Sequence, residues 1–191
     1  MAIAIAADIV PIIGENRVLA HIGIQIINSN PRVGIHSLFK NRVKTEFNIG
    51  DLMFHVAPRI NAAGRMKHAS LALELLIETD VKKAEALASK IETLNSSRRE
   101  IEKETTNQAL DWIKEDNKET NSTVVFNKAW NKGVIGIVAS RLIEKHYKPT
   151  VVFCESKEGK LTASARSVKG IDLYKILEEC KDTICQFGGH K

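Results

Sequence analysis

The feature that most constrains the fold of this sequence is a long run, from Val81 to about Asp116, that contains neither glycine nor proline. Small and apolar residues recur along it at helical spacing, at Ala84, Leu87, Ala88, Ile91, Leu94, Ile101, Thr105, Ala109 and Ile113. This spacing predicts one helix with a single apolar stripe. At 1.5 Å per residue the helix would span about 50 Å, so we expect it to bridge two domains. Two helices with a break at Ser96-Ser97 are the alternative.

The composition is that of a soluble globular protein. Of 191 residues, 43% are apolar and 27% are charged, which argues against a disordered chain and allows one ordinary domain or two small ones. No apolar run approaches the roughly 20 residues of a membrane span, and Ala2–Ala7 is too short for a secretory signal. Three cysteines without ligand spacing argue against a disulfide framework or a zinc site. We therefore expect a reducing, cytoplasmic location.

Residues 1–80 are predicted to form a short strand followed by helices. The strand covers Ile3–Val10, and the helices cover Arg17–Ile27, Gly34–Phe39 and Ser70–Ile77. Leu52–Pro58 is predicted to be extended or irregular, because the residue before a proline disfavours the helical region.

After the polar stretch Asn117–Ser122, the pattern changes to alternating strands and helices. The predicted order is strand, helix, strand, strand, helix, over Thr123–Asn127, Gly133–His146, Thr150–Cys154, Leu161–Ser167 and Asp172–Glu179. This order is typical of a small α/β domain with a mixed sheet. The predicted fold class is therefore α/β, with residues 1–80, a connecting helix over 81–119, and a small mixed-sheet domain over 120–191.

The net charge of +5 is unevenly distributed, because residues 120–191 hold the excess of Lys and Arg. Windows that contain basic residues but no acid include those between Asp51 and Glu74, between Glu119 and Glu144, and between Glu158 and Asp172. A nearby carboxylate would repel phosphate, so such windows suit a surface that binds a polyanion. Chance clustering on a mildly basic protein explains the charge pattern equally well.

The block Pro58–Arg65 combines small residues with Arg59, Asn61 and Arg65. Small residues let a backbone approach a ligand closely, and guanidinium groups suit phosphate oxygens. Asn61 can donate to phosphate or orient an arginine. On these residues alone, an ordinary loop with solvated arginines is the favoured interpretation.

The block Trp130–Arg141 follows a predicted strand and opens a predicted helix. Gly133 stands where backbone N–H groups at a helix start can bind an anion. Gly136 is better explained by close packing of the helix on the sheet. Trp130 is better explained as a core residue than as a platform for base stacking.

Two shorter motifs follow in the basic part of the chain. Ser164 and Ser167 flank Arg166, and two hydroxyls around one fixed charge form a good phosphate site. The pair Gly188-Gly189 offers close backbone approach, and His190 adds an imidazole.

Asp8 follows the first predicted strand, at the end where open α/β sheets hold ligands. A hard divalent ion needs several such oxygens, and one carboxylate does not make a site. On the residue alone, a turn or cap before Pro11 is the favoured interpretation.

Together and in this order, the motifs resemble those of the RecJ family of exonucleases. The matching segments are Ala7–Pro11 with Gly14–Arg17, Pro58–Arg65, Leu94-Asn95 with Arg98-Arg99, Trp130–Arg141, Ser164–Ser167 and Gly188–His190. The resemblance covers nearly the whole chain, and Pro58–Arg65 and Gly133–Arg141 are its most specific parts. It implies the C-terminal part of a single-strand-specific 5′→3′ DNA exonuclease of the DHH/DHHA1 phosphoesterase superfamily, acting in repair and recombination.

The resemblance also implies a role for each motif. Asp8 would be a ligand of Mn²⁺ or Mg²⁺ in the full-length protein. The strand-binding groove would be lined by Arg59, Asn61 and Arg65, and phosphates would be held by Gly133, Ser164, Arg166, Ser167, Gly188, Gly189 and His190. Residues 1–80 would end the DHH catalytic domain, and residues 120–191 would be the DHHA1 nucleic-acid-binding domain.

Other metal motifs of the family are absent. The sequence contains no Asp-x-Asp pattern and no pair of adjacent histidines, whereas two-metal hydrolysis needs ligands around both the attacking and the leaving oxygens. We therefore expect a truncated fragment that binds single-stranded DNA weakly and does not cleave it. The alternatives are another DHH-type phosphoesterase acting on oligoribonucleotides or cyclic dinucleotides, and a nucleic-acid-binding module without catalysis. The expected partner is single-stranded DNA and not a membrane, and the sequence does not identify a single-strand-binding protein or helicase as a partner.

Overall fold

The computed structural model describes residues 1–8, 10–39, 46–116, 120–156 and 158–189. The chain divides into two compact units, 1–98 and 99–191. The helices that begin in the first unit are α1 (Ala2–Ala7), α2 (Gly14–Ser29), α3 (Val33–Phe39), α4 (Ile49–Asp51), α5 (Ala57–Met66), α6 (Ser70–Ile77) and α7 (Val81–Asp116). The second unit continues with β1 (Thr123–Phe126), α8 (Ile135–His146), β2 (Thr150–Glu155), β3 (Leu161–Arg166) and α9 (Leu173–Glu179).

Helix α7 is continuous, as its sequence pattern predicts, with no break at Ser96-Ser97. The predicted stripe is buried at Ala84, Ala88 and Ile91 in the first unit and at Thr105 and Ala109 in the second. The boundary between the units lies inside this helix. No helix in the described ranges is both long and apolar enough to cross a membrane.

The strand predicted over Ile3–Val10 is wrong, because Ala2–Ala7 forms a helix that ends at Asp8. The segment alternates isoleucine with alanine, so both sides of a strand would be apolar and the alternation marks no exposed face. Alanine also has the highest helix propensity. Ala2 and Ala6, one helical turn apart, are buried against α2, α3 and the residues before α5.

The irregular segment predicted over Leu52–Pro58 is also wrong. Helix α4 continues through a π-helical turn, Leu52–Val56, directly into α5, and Pro58 lies in the first turn of α5. In the π-helical turn the Ala57 N–H donates to the Leu52 carbonyl, five residues back. This widened turn accommodates a proline, which lacks the N–H and would crowd the carbonyl of a regular turn.

Helices α3, α5, α6 and α7 pack around an apolar cluster that is rich in alanine. Its buried members are Ala63, Ala72, Leu75, Ala84, Ala88 and Ile91. At Gly34 of α3, an added Cβ atom would lie only 1.7 Å from the Leu75 carbonyl oxygen. The close approach of α3 to α6 therefore requires glycine at this position.

The second unit contains a three-stranded mixed sheet in the order β1-β2-β3. β1 is parallel to β2, with Thr123 opposite Thr150, and β2 is antiparallel to β3, with Thr150 opposite Arg166. Helix α8 packs on β2 and β3. The long helix followed by a small mixed sheet confirms the predicted fold class.

Candidate nucleic-acid interface

In the first unit, Asp8 and Asn61 line the same cleft, whose volume is about 540 Å³. Asp8 is exposed at the end of α1, and Asn61 is exposed on α5. Arg32 also lines the cleft, and its apolar walls include Ile35 and Ile60. The structure therefore brings together the residue predicted as a metal ligand and one residue predicted to bind the strand.

Asp8 does not form a metal site with the other residues that the structure describes. Within those ranges, no group of three or more His, Cys, Asp or Glu residues is placed to hold an ion. A hard divalent cation takes six or more oxygen ligands. The described residues do not fit the implied metal by themselves, so ligation by Asp8 remains a prediction that requires other ligands.

The block Pro58–Arg65 is helical, so its interpretation as an ordinary loop is wrong. Its small residues Ala62 and Ala63 are fully buried and serve helix packing rather than the approach of a ligand. Asn61 and Arg65, four residues apart on α5, share one exposed face.

Arg59 lies on a different side of α5 and is held by two acceptors. Its Nε donates to the Glu92 carboxylate of α7, and its Nη1 donates to the His55 carbonyl oxygen at 2.7 Å. The Arg59 side chain is only 18% exposed, against 44% for Glu92. Arg59 is therefore an oriented side chain between two helices, and not a solvated surface arginine.

In the second unit, Gly136, Ser164 and Arg166 lie side by side where α8 crosses β3. A Cβ atom added to Gly136 would approach the Ser164 Oγ to 2.9 Å and the Arg166 Nη2 to 3.6 Å. The predicted packing role of Gly136 is confirmed. The small residue allows the first turn of α8 to lie directly against a hydroxyl and a guanidinium group.

Arg166 and Ser167 differ in how their side chains are used. The Arg166 guanidinium is exposed and donates from Nη1 to the Ala165 carbonyl oxygen at 2.9 Å. The Ser167 hydroxyl donates to the Ile171 carbonyl oxygen at 2.7 Å and so holds the loop before α9. Binding of phosphate by Ser167 would require that bond to open.

The backbone N–H of Gly133 donates to the Asn131 side-chain oxygen at 2.7 Å. The Asn131 carbonyl accepts from the N–H groups of Val134, at 3.0 Å, and of Ile135, at 3.3 Å. Asn131 thus organises the residues before α8, and an anion at Gly133 would have to compete with its side chain. Asn two residues before Gly is a turn signal in the sequence.

Trp130 is a core residue, as predicted. It is buried, and its Nε1 donates to the Gln108 Oε1 of α7 at 2.8 Å.

Cys154 is also fully buried, and burial raises the pKa of its thiol, an effect that the positive charge of Lys132 opposes. A buried thiol with a raised pKa is a poor nucleophile, so Cys154 is structural.

Gly188 and Gly189 are exposed, and an added Cβ atom at either would have no neighbour within 4 Å among the residues that the structure describes. The preceding Phe187 packs against Tyr174 of α9, with the ring centroids 5.4 Å apart. His190 lies outside the described residues. These observations leave the predicted phosphate contacts of this segment as predictions.

Residues 119–191 match the DHHA1 domain. Over its whole length, the chain is similar to proteins named single-stranded-DNA-specific exonuclease RecJ. It is 36% identical to the one from Bacillus subtilis, over 99% of this chain and 24% of that protein. It is 34% identical to the one from Haemophilus influenzae, over 100% of this chain and 35% of that protein. The chain thus spans between a quarter and about a third of the length of these relatives.

The structure is also similar to solved structures of RecJ. Against RecJ from Thermus thermophilus in complex with Mg²⁺, the TM-score is 0.87 at 32% identity, covering 100% of this chain and 29% of that one. Against a RecJ exonuclease bound to manganese, the TM-score is 0.82 at 32% identity, covering 100% of this chain and 47% of that one. The resemblance predicted from the motifs is confirmed along the whole chain.

Proposed function

Because this chain is similar over its whole length to RecJ exonucleases and carries a match to the DHHA1 domain, we propose that it holds single-stranded DNA for a 5′→3′ exonuclease of this family. The exonuclease would act in DNA repair and recombination and would depend on Mn²⁺ or Mg²⁺. Asp8 would contribute one ligand, together with residues that this sequence does not contain. By itself the chain would bind single-stranded DNA weakly and leave it intact.

The arrangement of Gly136, Ser164 and Arg166 is the observation that carries this proposal. A hydroxyl and an exposed guanidinium lie together against the first turn of α8, within the acid-free window between Glu158 and Asp172. A guanidinium offers directional donors to phosphate oxygens, and a hydroxyl adds another. This combination supports binding of a phosphate of the DNA backbone.

The proposal is tested by fluorescence anisotropy with a labelled single-stranded oligonucleotide over a range of salt concentrations. Single-stranded binding loses about 0.7 in the slope of log K against log salt for each phosphate contact removed. We expect Arg166→Gln to weaken binding and to reduce the slope by about that amount. Lys145→Gln is the matched control, because Lys145 is exposed in the last turn of α8 and lies outside the motif. Equal effects of the two substitutions would contradict the proposed site.

Cleavage is tested separately, by incubating the chain with a 5′-labelled or 3′-labelled strand in Mn²⁺ or Mg²⁺. We expect no shortening of either strand. Metal-dependent shortening that Asp8→Asn abolishes would show that the chain builds a metal site of its own and would overturn this part of the proposal.

A nucleic-acid-binding module without catalysis is the second candidate, favoured by the observation that the described residues gather no metal-ligand cluster around Asp8. Its affinity for DNA would fall steeply with increasing salt concentration, and neither Mn²⁺ nor Asp8→Ala would change that affinity. A DHH-type enzyme for short substrates would instead be identified by competition, because oligoribonucleotides or cyclic dinucleotides would displace the DNA at lower concentration than unlabelled DNA does.

A further inference from the structure

Glu92 forms an ion pair with Arg59 of the Pro58–Arg65 block, and the motifs assign no role to this acid. It belongs to α7, whereas the acid-free window around Arg59 belongs to α5 and its neighbours. Its carboxylate accepts from the Arg59 Nε, and the side chain is 44% exposed. In the folded structure, the carboxylate of Glu92 therefore lies next to a segment that contains no acid in the sequence.

Two acceptors fix the plane of the Arg59 guanidinium. The Glu92 carboxylate accepts from Nε, and the carbonyl oxygen of His55, within the π-helical turn, accepts from Nη1 at 2.7 Å. A guanidinium carries five N–H groups. These two bonds use two of the five N–H groups. Among the residues that the structure describes, the other three are left for an additional acceptor.

We propose that Glu92 is a positioning residue, which holds the Arg59 guanidinium so that its remaining N–H groups meet a phosphate of bound single-stranded DNA. The inference rests on the proposed function. An arginine that is already ordered does not lose its rotamer freedom on binding, and this freedom is worth about two- to tenfold in affinity for a long side chain. Glu92 lies partly in water, which screens its charge and limits the repulsion it adds.

The competing idea is that Glu92 merely opposes the phosphate, and the two ideas predict opposite signs. If repulsion dominates, removing the carboxylate strengthens DNA binding. If positioning dominates, Glu92→Ala weakens binding by about two- to tenfold. Glu92→Gln keeps an acceptor oxygen for the Arg59 Nε and should stay closer to the unchanged protein.

The experiment is a double-substitution cycle, measured by the anisotropy of the same labelled oligonucleotide. The variants are Glu92→Ala, Arg59→Ala and the pair, and Glu100→Ala, an exposed position on the same helix, is the control for loss of one acid. We expect the double variant to bind DNA no more weakly than Arg59→Ala alone, because Glu92 acts through Arg59. The melting temperature of each variant shows whether a loss of DNA binding comes from unfolding.

Stronger binding by Glu92→Ala would overturn the inference, as would independent effects of Glu92 and Arg59. If Glu92→Ala does not fold, Glu92→Asp decides the question, since its shorter side chain keeps the charge but withdraws the carboxylate from Arg59. Positioning predicts weaker binding by that variant, and unchanged binding would contradict it. Absence of DNA binding by the unchanged chain would overturn the proposed function itself, whereas binding that ignores Glu92 would overturn only this inference.

Discussion

Gly34 illustrates how a single residue sets the distance between two helices. A Cβ atom there would lie 1.7 Å from the Leu75 carbonyl oxygen and 2.7 Å from its carbon, and a backbone carbonyl inside α6 cannot move without moving the helix. We expect Gly34→Ala to lower the free energy of unfolding by about 2–4 kcal/mol, since overpacking against backbone leaves no rotamer through which to relax. Thermal unfolding followed by circular dichroism measures the effect.

Gly64 provides the matched control for this substitution. It is also a helical glycine, but an added Cβ atom would make an ordinary contact of 3.6 Å with the Ala69 Cβ. Gly64→Ala should be neutral or stabilising by about 0.5–1 kcal/mol, because alanine favours a helix interior more than glycine does. A similar loss of unfolding free energy in both variants would show that the backbone at Gly34 moves more easily than its packing indicates.

The sequence identified Arg59, Ser164 and Arg166 as chemically important but not the contacts that orient them. The Glu92 partner of Arg59 is distant in sequence and becomes a neighbour only when α5 packs on α7. Charge windows count acids along the chain, so they cannot include an acid supplied by another helix. The contact of Ser164 and Arg166 with Gly136 is hidden for the same reason, because it depends on where α8 crosses β3.

At the scale of single elements, periodic amphipathic segments were predicted correctly, and uniformly apolar or proline-containing segments were not. The stripe of α7 and the apolar-periodic helix predicted over Arg17–Ile27, which lies within α2, formed as predicted. In Ala2–Ala7 every side chain is apolar, so no pattern separated a buried strand from a helix. At Pro58 a local rule was overridden, since a π-helical turn lets the helix continue through the proline.

The contact between Trp130 and α7 predicts how one element supports another in the second unit. The Trp130 Nε1 donates to the Gln108 Oε1 at 2.8 Å from a buried position before α8. We expect Trp130→Phe to reduce the free energy of unfolding by about 1–3 kcal/mol, through loss of this hydrogen bond and of buried volume. Urea unfolding measures the change.

Trp112→Phe is the control for the same chemical change, because Trp112 lies on α7 but is 48% exposed. Its effect should stay within about 0.5 kcal/mol, as for most surface substitutions. If both substitutions reduce the free energy of unfolding by the same amount, the hydrogen bond to Gln108 contributes nothing to the stability of the second unit.

For the molecule as a whole, the sequence predicted the α/β class and the long helix but not where the compact units divide. The division falls at Arg98 and Arg99, in the middle of α7, where polar residues interrupt the apolar stripe between Leu94 and Ile101. This interruption does not by itself mark a boundary, because the helix continues through it. A boundary of this kind depends on which elements each half of the helix packs against. That information lies in tertiary contacts and not in the periodicity of α7.

The uneven distribution of charge gives a prediction about the whole molecule, which carries a net charge of +5. Lys128 and Lys169 are exposed in two acid-free windows, whereas Lys82 and Lys90 are exposed on α7 among glutamates. Replacing either pair with glutamine removes the same charge, so attraction of DNA by net charge alone predicts equal losses of affinity. If DNA contacts the windows, the Lys128→Gln, Lys169→Gln variant loses more affinity, and its salt slope falls by up to about 1.4 for two lost contacts. Anisotropy titrations in several salt concentrations measure both quantities, and equal slopes for the two double variants would mean that the windows arose from chance clustering.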